Sequence, residues 1–137
     1  MTVLLDSDVL LDIALARPQF VMNSRGVLDW CELHPGNGHI AWHTGANIYY
    51  LLRRDRGDGP ARQFIHDMLD FVEIVAAGTA QAKHALTMSM SDFEDALQAA
   101  AAVLAGVDYI VTRNIADYHS SPVRAILPAD FLTLSSP

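Results

Sequence analysis

The chain has 137 residues, 51% of them hydrophobic and 18% charged, which excludes a disordered polymer and fits one folded domain over residues 1–137. Its net charge is −7 and Lys83 is its only lysine, so no broad basic footprint marks a nucleic-acid binder; the positive charge clusters at Arg53, Arg54 and Arg56, with Arg62 nearby. No apolar stretch approaches the ~20 residues of a membrane span. The acidic start, with Asp6, Asp8 and Asp12, is not that of a signal peptide, and a single cysteine, Cys31, excludes an internal disulfide and suits a reducing cytoplasm.

Residues 2–6 read as a short buried strand, and residues 8–15 as a helix that ends before Pro18. A longer helix over 19–33 stops at the turn-rich "HPGNG" of 34–38. "HIAW" (39–42) is a second strand. Residues 44–55 are helical, with the arginines at the end that the helix dipole favours. "RGDG" (56–59) is a turn, 60–70 a further helix, "FVEIV" (71–75) a strand and 79–87 a helix. Ser91 and Glu94 form a capping-box pattern ahead of an alanine-rich helix that closes at Gly106, a natural residue to follow a helix end. "DYIVT" (108–112) is a buried strand, "RAIL" (124–127) a weaker one, and Pro128 opens a final short helix. Strands alternating with helices define an α/β domain whose central sheet, of about five strands, is mainly parallel and flanked by helices.

Sites in such sheets lie beyond the carboxyl ends of the strands. Three acids head for that edge: Asp6 at the end of the first strand, Asp95 in the first turn of the alanine-rich helix, and Asp117 in the loop after "YIVT". Converging carboxylates repel, and a hard divalent cation removes the conflict. Mg²⁺ or Mn²⁺ would take these oxygens and keep positions for a phosphate and an attacking hydroxide, which points to phosphodiester hydrolysis. Each acid also has a plainer reading. Asp6 or Asp8 would cap the helix that follows, and Asp92 and Glu94 suit any helix start.

"LLDSDVLLD", "DFEDALQAAAA" and "YIVTRNIADY" together resemble the PIN domain, most of all the VapC-type toxins and related bacterial PIN proteins, over nearly the whole chain. The resemblance implies a three-layer fold and a metal-dependent ribonuclease site. It places the family's acids on Asp6, Asp95 and Asp117, with Thr112 and Asn114 supporting the last loop. Ser7 and Asp92 join the surroundings, Asp92 as a further metal-binding group one turn before Asp95. Family members often carry another acid early in the third helix. The matching segment here, "HTGANIYYLLRR", has Asn47, which offers a carbonyl oxygen and no charge. The resemblance also implies an RNA substrate gripped through phosphate contacts by Arg53, Arg54 and Arg56. It further implies a protein antitoxin covering the site, and a homodimer.

The six histidines show neither H-x-x-x-H nor H-E-x-x-H spacing, and only His43 falls near the cleft in this reading. Trp42 and the Tyr49-Tyr50 pair are expected in the core or a dimer face, and Cys31 as a small buried hydrophobe. A haloacid dehalogenase-type phosphatase would use Asp6 and Asp8 of "LLDSDVLL", and a receiver domain a similar edge. Both need a lysine late in the chain, and none follows Lys83. The remaining rival is a PIN-like module that binds RNA or protein without cleavage, for which Asn47 is the support.

Overall fold

Val3, Leu4 and Leu5 have no exposed surface, because the strand they form, β1 (Val3–Leu5), lies at the centre of the sheet. The structure, a computed structural model, describes residues 1–136. The other strands are β2 (Gly38–Ile40), β3 (Val72–Ile74), β4 (Tyr109–Val111) and β5 (Ala125–Ile126). They run in the order β3-β2-β1-β4-β5, every pair parallel, with Leu4 opposite His39 on one side and Ile110 on the other. The helices are α1 (Ser7–Ala14), α2 (Val21–Leu33), α3 (Trp42–Arg56), α4 (Asp58–Met68), α5 (Thr79–Leu86), α6 (Phe93–Ala105) and α7 (Pro128–Ser135).

Alternation along β1 feeds two cores. Val3 and Leu5 point into a core with Val9, Val27, Ile48, Met68 and Phe131, whereas Leu4 points into one with Ile110 and the α6 alanines Ala99, Ala101 and Ala102. The alanines let α6 lie close to the sheet, which brings its first turn near the end of β1. The chain leaves β1 toward β2 and β3, then returns to the other side of β1 to form β4 and β5. The switch point is therefore the gap between β1 and β4, and the Asp6 amide closes it by donating to the Val111 carbonyl at 3.0 Å.

Several boundaries differ from expectation. Residues 115–118 form a 3-10 helix, Ile115–Tyr118, which the "RNIADY" segment does not announce. Trp42 begins α3 instead of ending a strand, and it is 72% exposed. Tyr50 is exposed as well, so neither packs in the core. The cap of α6 is Asp92, whose Oδ1 accepts from the Asp95 amide at 3.1 Å; the Ser91–Glu94 box does not form. Asp6, not Asp8, caps α1. Gly106 closes α6 in the left-handed region (φ 67), as its position implied. Cys31 is buried.

Candidate active site

Asp6 is 7% exposed and held from four directions. Its Oδ1 accepts from the Ser7 amide at 2.7 Å and from Gln98 Nε2 at 3.2 Å. Its Oδ2 accepts from the Thr112 hydroxyl at 2.9 Å and the Tyr118 hydroxyl at 3.1 Å. Donors from α1, α6, the end of β4 and the 3-10 helix fix the orientation of this carboxylate. The sequence folds this way because β1 ends at Asp6 and β4 at Val111, side by side, so the next residues of each strand meet.

Asp95 lies across from it in the first turn of α6. The Tyr118 hydroxyl is 3.2 Å from Asp95 Oδ1, so one phenol stands between two carboxylates. It has one proton to donate, and both short contacts are satisfied when Asp95 carries a proton of its own. Burial, then the charges of Asp6 and Asp92, push Asp95 up to about 6, while the Tyr118 hydrogen bond works in the opposite sense. Burial and the same two partners, Asp6 and Asp95, push the Tyr118 phenol well above its ordinary range. Asp117 stands exposed on the 3-10 helix, and its charge adds to the upward push on Asp95.

Asp8 ties the loop after β4 to α1. Its Oδ2 accepts from the Arg113 amide at 3.2 Å and Asn114 Nδ2 at 2.9 Å. Thr112 Oγ1 accepts from the Asn114 amide at 3.0 Å, so Thr112 and Asn114 do brace this loop. Burial first, and Asp6 second, push Asp8 up to about 7. Behind it, fully buried Asp12 accepts from Arg113 Nε at 2.7 Å and Arg17 Nη1 at 3.2 Å, and the Arg113 guanidinium lies 4.0 Å over the Phe20 ring.

The remaining expected residues divide. Ser7 gives its amide to Asp6, and Asn47 Nδ2 donates to Glu94 Oε1 at 2.7 Å. Burial, then Asp6 and Asp92, raise Glu94 above the usual carboxylate range. His43 lies within the field of Asp6, though burial outweighs that charge and lowers its proton affinity. Arg53, Arg54 and Arg56 are not brought to the carboxylates. They sit roughly 9–14 Å along the α3 axis from Asn47, exposed on the helix end that runs back toward the other edge of the sheet.

Tyr118, Gln98, Thr44 and Glu94 are the site residues that sequence reasoning passed over. Gln98 had a signal: a lone amide in an alanine-rich helix, three residues after Asp95 and on its face. The inward turn of Tyr118 depends on the 3-10 helix and had none.

Among the described residues, no group of three His, Cys, Asp or Glu side chains is arranged to hold a metal ion. The donor set still fits a hard divalent cation. It is built of oxygens, the acids raise one another's proton affinity, and Gln98 Oε1 and Ser7 Oγ are buried beside Asp6 without a partner. Asp6 and Asp95 share the Tyr118 hydroxyl and Asp117 acts on Asp95 through its charge, so these, with Asp92 behind, are the carboxylates that an ion would have to draw together.

A parallel five-stranded sheet with an acidic site at its switch point defines an α/β protein of the kind that binds ligands beyond its strand ends. The sequence matches the PIN domain family over residues 2–116, and the chain belongs to that family. No curated protein sequence matches it significantly. Among solved structures it resembles a DNA-bound VapBC of Salmonella typhimurium, with TM-score 0.72 at 15% identity over 93% of this chain and 98% of that one. It also resembles a toxin–antitoxin complex of Klebsiella pneumoniae, with TM-score 0.70 at 19% identity over the same shares. A third is a sarcin-ricin-loop-cleaving VapC toxin of Mycobacterium tuberculosis, with TM-score 0.65 at 15% identity over 80% of this chain and 87% of that one. These likenesses establish the fold.

Proposed function

We propose that the protein is a metal-dependent endoribonuclease, the toxin of a type II toxin–antitoxin pair. The observation that carries this reading is the convergence of Asp6 and Asp95 on one hydroxyl at the switch point, inside a PIN fold. The solved structures it resembles support it: one is a toxin–antitoxin complex, one a DNA-bound VapBC, and one a VapC toxin that cleaves the sarcin-ricin loop. Phosphatase and receiver readings lack their lysine and lose to the family match.

Asp6, Asp95 and Asp117 would hold Mg²⁺ or Mn²⁺. When bound, such an ion supplies Lewis-acid activation of water and neutralises charge on the phosphate. The chain's own work is positioning. Ser7, Gln98, Thr112 and Tyr118 set the Asp6 carboxylate, and Asp8, Asn114 and Arg113 hold the loop that carries Asp117. Arg53, Arg54 and Arg56 would contact RNA phosphates away from the cut. Trp42, Phe93 and Ile115 are exposed at the starts of α3, α6 and the 3-10 helix, and they give an antitoxin apolar ground around the site. A homodimer working in the cytoplasm completes the proposal.

The test is cleavage of structured and single-stranded RNAs with Mg²⁺ or Mn²⁺ and with EDTA. The parent is expected to cut only with metal. Asp6→Asn and Asp95→Asn should each lose about 100-fold or more, the scale of losing one electrostatic stabiliser of a transition state. Cutting by Asp95→Asn at the parent rate overturns the assignment. RNA or partner binding without cleavage, unchanged in Asp6→Asn, favours the binding module instead.

A further inference from the structure

Two layers of side chains join α3 to α6 over Asp6. In the inner layer, buried Gln98 Nε2 lies 3.2 Å from both Asp6 Oδ1 and Thr44 Oγ1. In the outer layer, Asn47 Nδ2 donates to Glu94 Oε1 at 2.7 Å. The offsets are those of single helix faces: Thr44 and Asn47 are three apart, and Glu94 and Gln98 four apart. Glu94 therefore stands one turn outward from Gln98, on the face of α6 that looks at Asp6. It is not engaged as a cap, since Asp92 does that. A charge-assisted hydrogen bond from Asn47 holds one of its oxygens and leaves the other for an ion. A second feature at the same place points to a ligand: Gln98 has no exposed surface, its amide touches Asp6, and its Oε1 has no partner.

We propose that Glu94, aimed by Asn47, is a further carboxylate of the cation site and supplies from α6 the charge that α3 lacks. This rests on the metal-dependent reading above. Asn47 is then a positioning residue, not the mark of a disabled site.

The experiment is titration of the metal-free full chain with Mn²⁺, followed by electron paramagnetic resonance of the free ion, with RNA cleavage run in parallel. Glu94→Gln should weaken Mn²⁺ binding about tenfold or more, and Asn47→Ala by less, on the scale of losses seen around metal sites. Asn47→Glu combined with Glu94→Gln moves the charge back to α3 and should recover most of the affinity. Glu94 is exposed, so the metal-free variants should melt no lower than the parent. Glu94→Gln binding Mn²⁺ as the parent does overturns the inference. The two claims fail separately: if that happens while Asp6→Asn loses both Mn²⁺ and cleavage, the ribonuclease reading stands. A parent that neither binds Mn²⁺ nor cuts RNA overturns both.

Discussion

Asp8 accepts hydrogen bonds from the Arg113 amide and the Asn114 side chain, yet burial and Asp6 push it from 3.8 up to about 7. Between those values the folded protein holds a proton that the unfolded chain has released. The folded state binds more protons there, so stability falls as pH rises through that window. Asp95, pushed from 3.8 up to about 6, acts with the same sign. His43 acts in the opposite sense, because burial lowers its proton affinity from the usual 6.5. With two strongly raised carboxyls against one lowered imidazole, the metal-free protein should melt higher at pH 5 than at pH 7.5. Asp8→Asn, which resembles the protonated form, should shrink that difference. Calorimetry in EDTA checks this, and a melting temperature that climbs steadily from pH 5 to 7.5 contradicts it.

The contact between α2 and β2 depends on one missing atom. A Cβ on Gly38 would lie 2.6 Å from Cys31 Sγ, far inside van der Waals contact, so glycine is what allows the helix to approach the strand. Gly38→Ala should cost about 1–3 kcal/mol, the range for overpacking a core. Cys31→Ala removes the obstructing sulfur, so the double variant should regain part of the loss in urea unfolding. A double variant that is no better than Gly38→Ala alone would place the strain elsewhere. Burial also pushes the Cys31 thiol up to about 12, which makes it a packing group and not a nucleophile.

The molecule as a whole pays for its site in repulsion among Asp6, Asp8, Asp92, Glu94 and Asp95. A cation that binds only the folded state stabilises it by mass action, about 2.7 kcal/mol at one hundred times its dissociation constant. Protons compete for the same oxygens. Mn²⁺ should therefore raise the melting temperature more at pH 7.5 than at pH 5, and Asp6→Asn should abolish the rise. An equal rise at both pH values, or one that survives in Asp6→Asn, would mean that the ion binds elsewhere. No helix among the described residues is long and apolar enough to cross a membrane.

Much of this was legible in the residues. "VLL" followed by Asp6, "DYIVT" followed by a loop with Asp117, and Gly106 after an alanine helix are local patterns. Local patterns report burial, strand ends and caps because those depend on nearest neighbours along the chain. The same is true of the order of strands and helices, and hence of the α/β class. Tertiary structure decided what depends on distant residues meeting. The Ser91–Glu94 box reads as a cap, yet Asp92 caps and Glu94 turns to Asn47, because α3 lies within reach. Arg53, Arg54 and Arg56 follow Asn47 closely in sequence but run away from the carboxylates, because a helix advances about 1.5 Å with each residue. Tyr118 and Gln98 close on Asp6 across 112 and 92 residues of chain. Only the pairing of β1 with β4, and the alanine face that draws α6 onto Leu4 and Ile110, could bring them there.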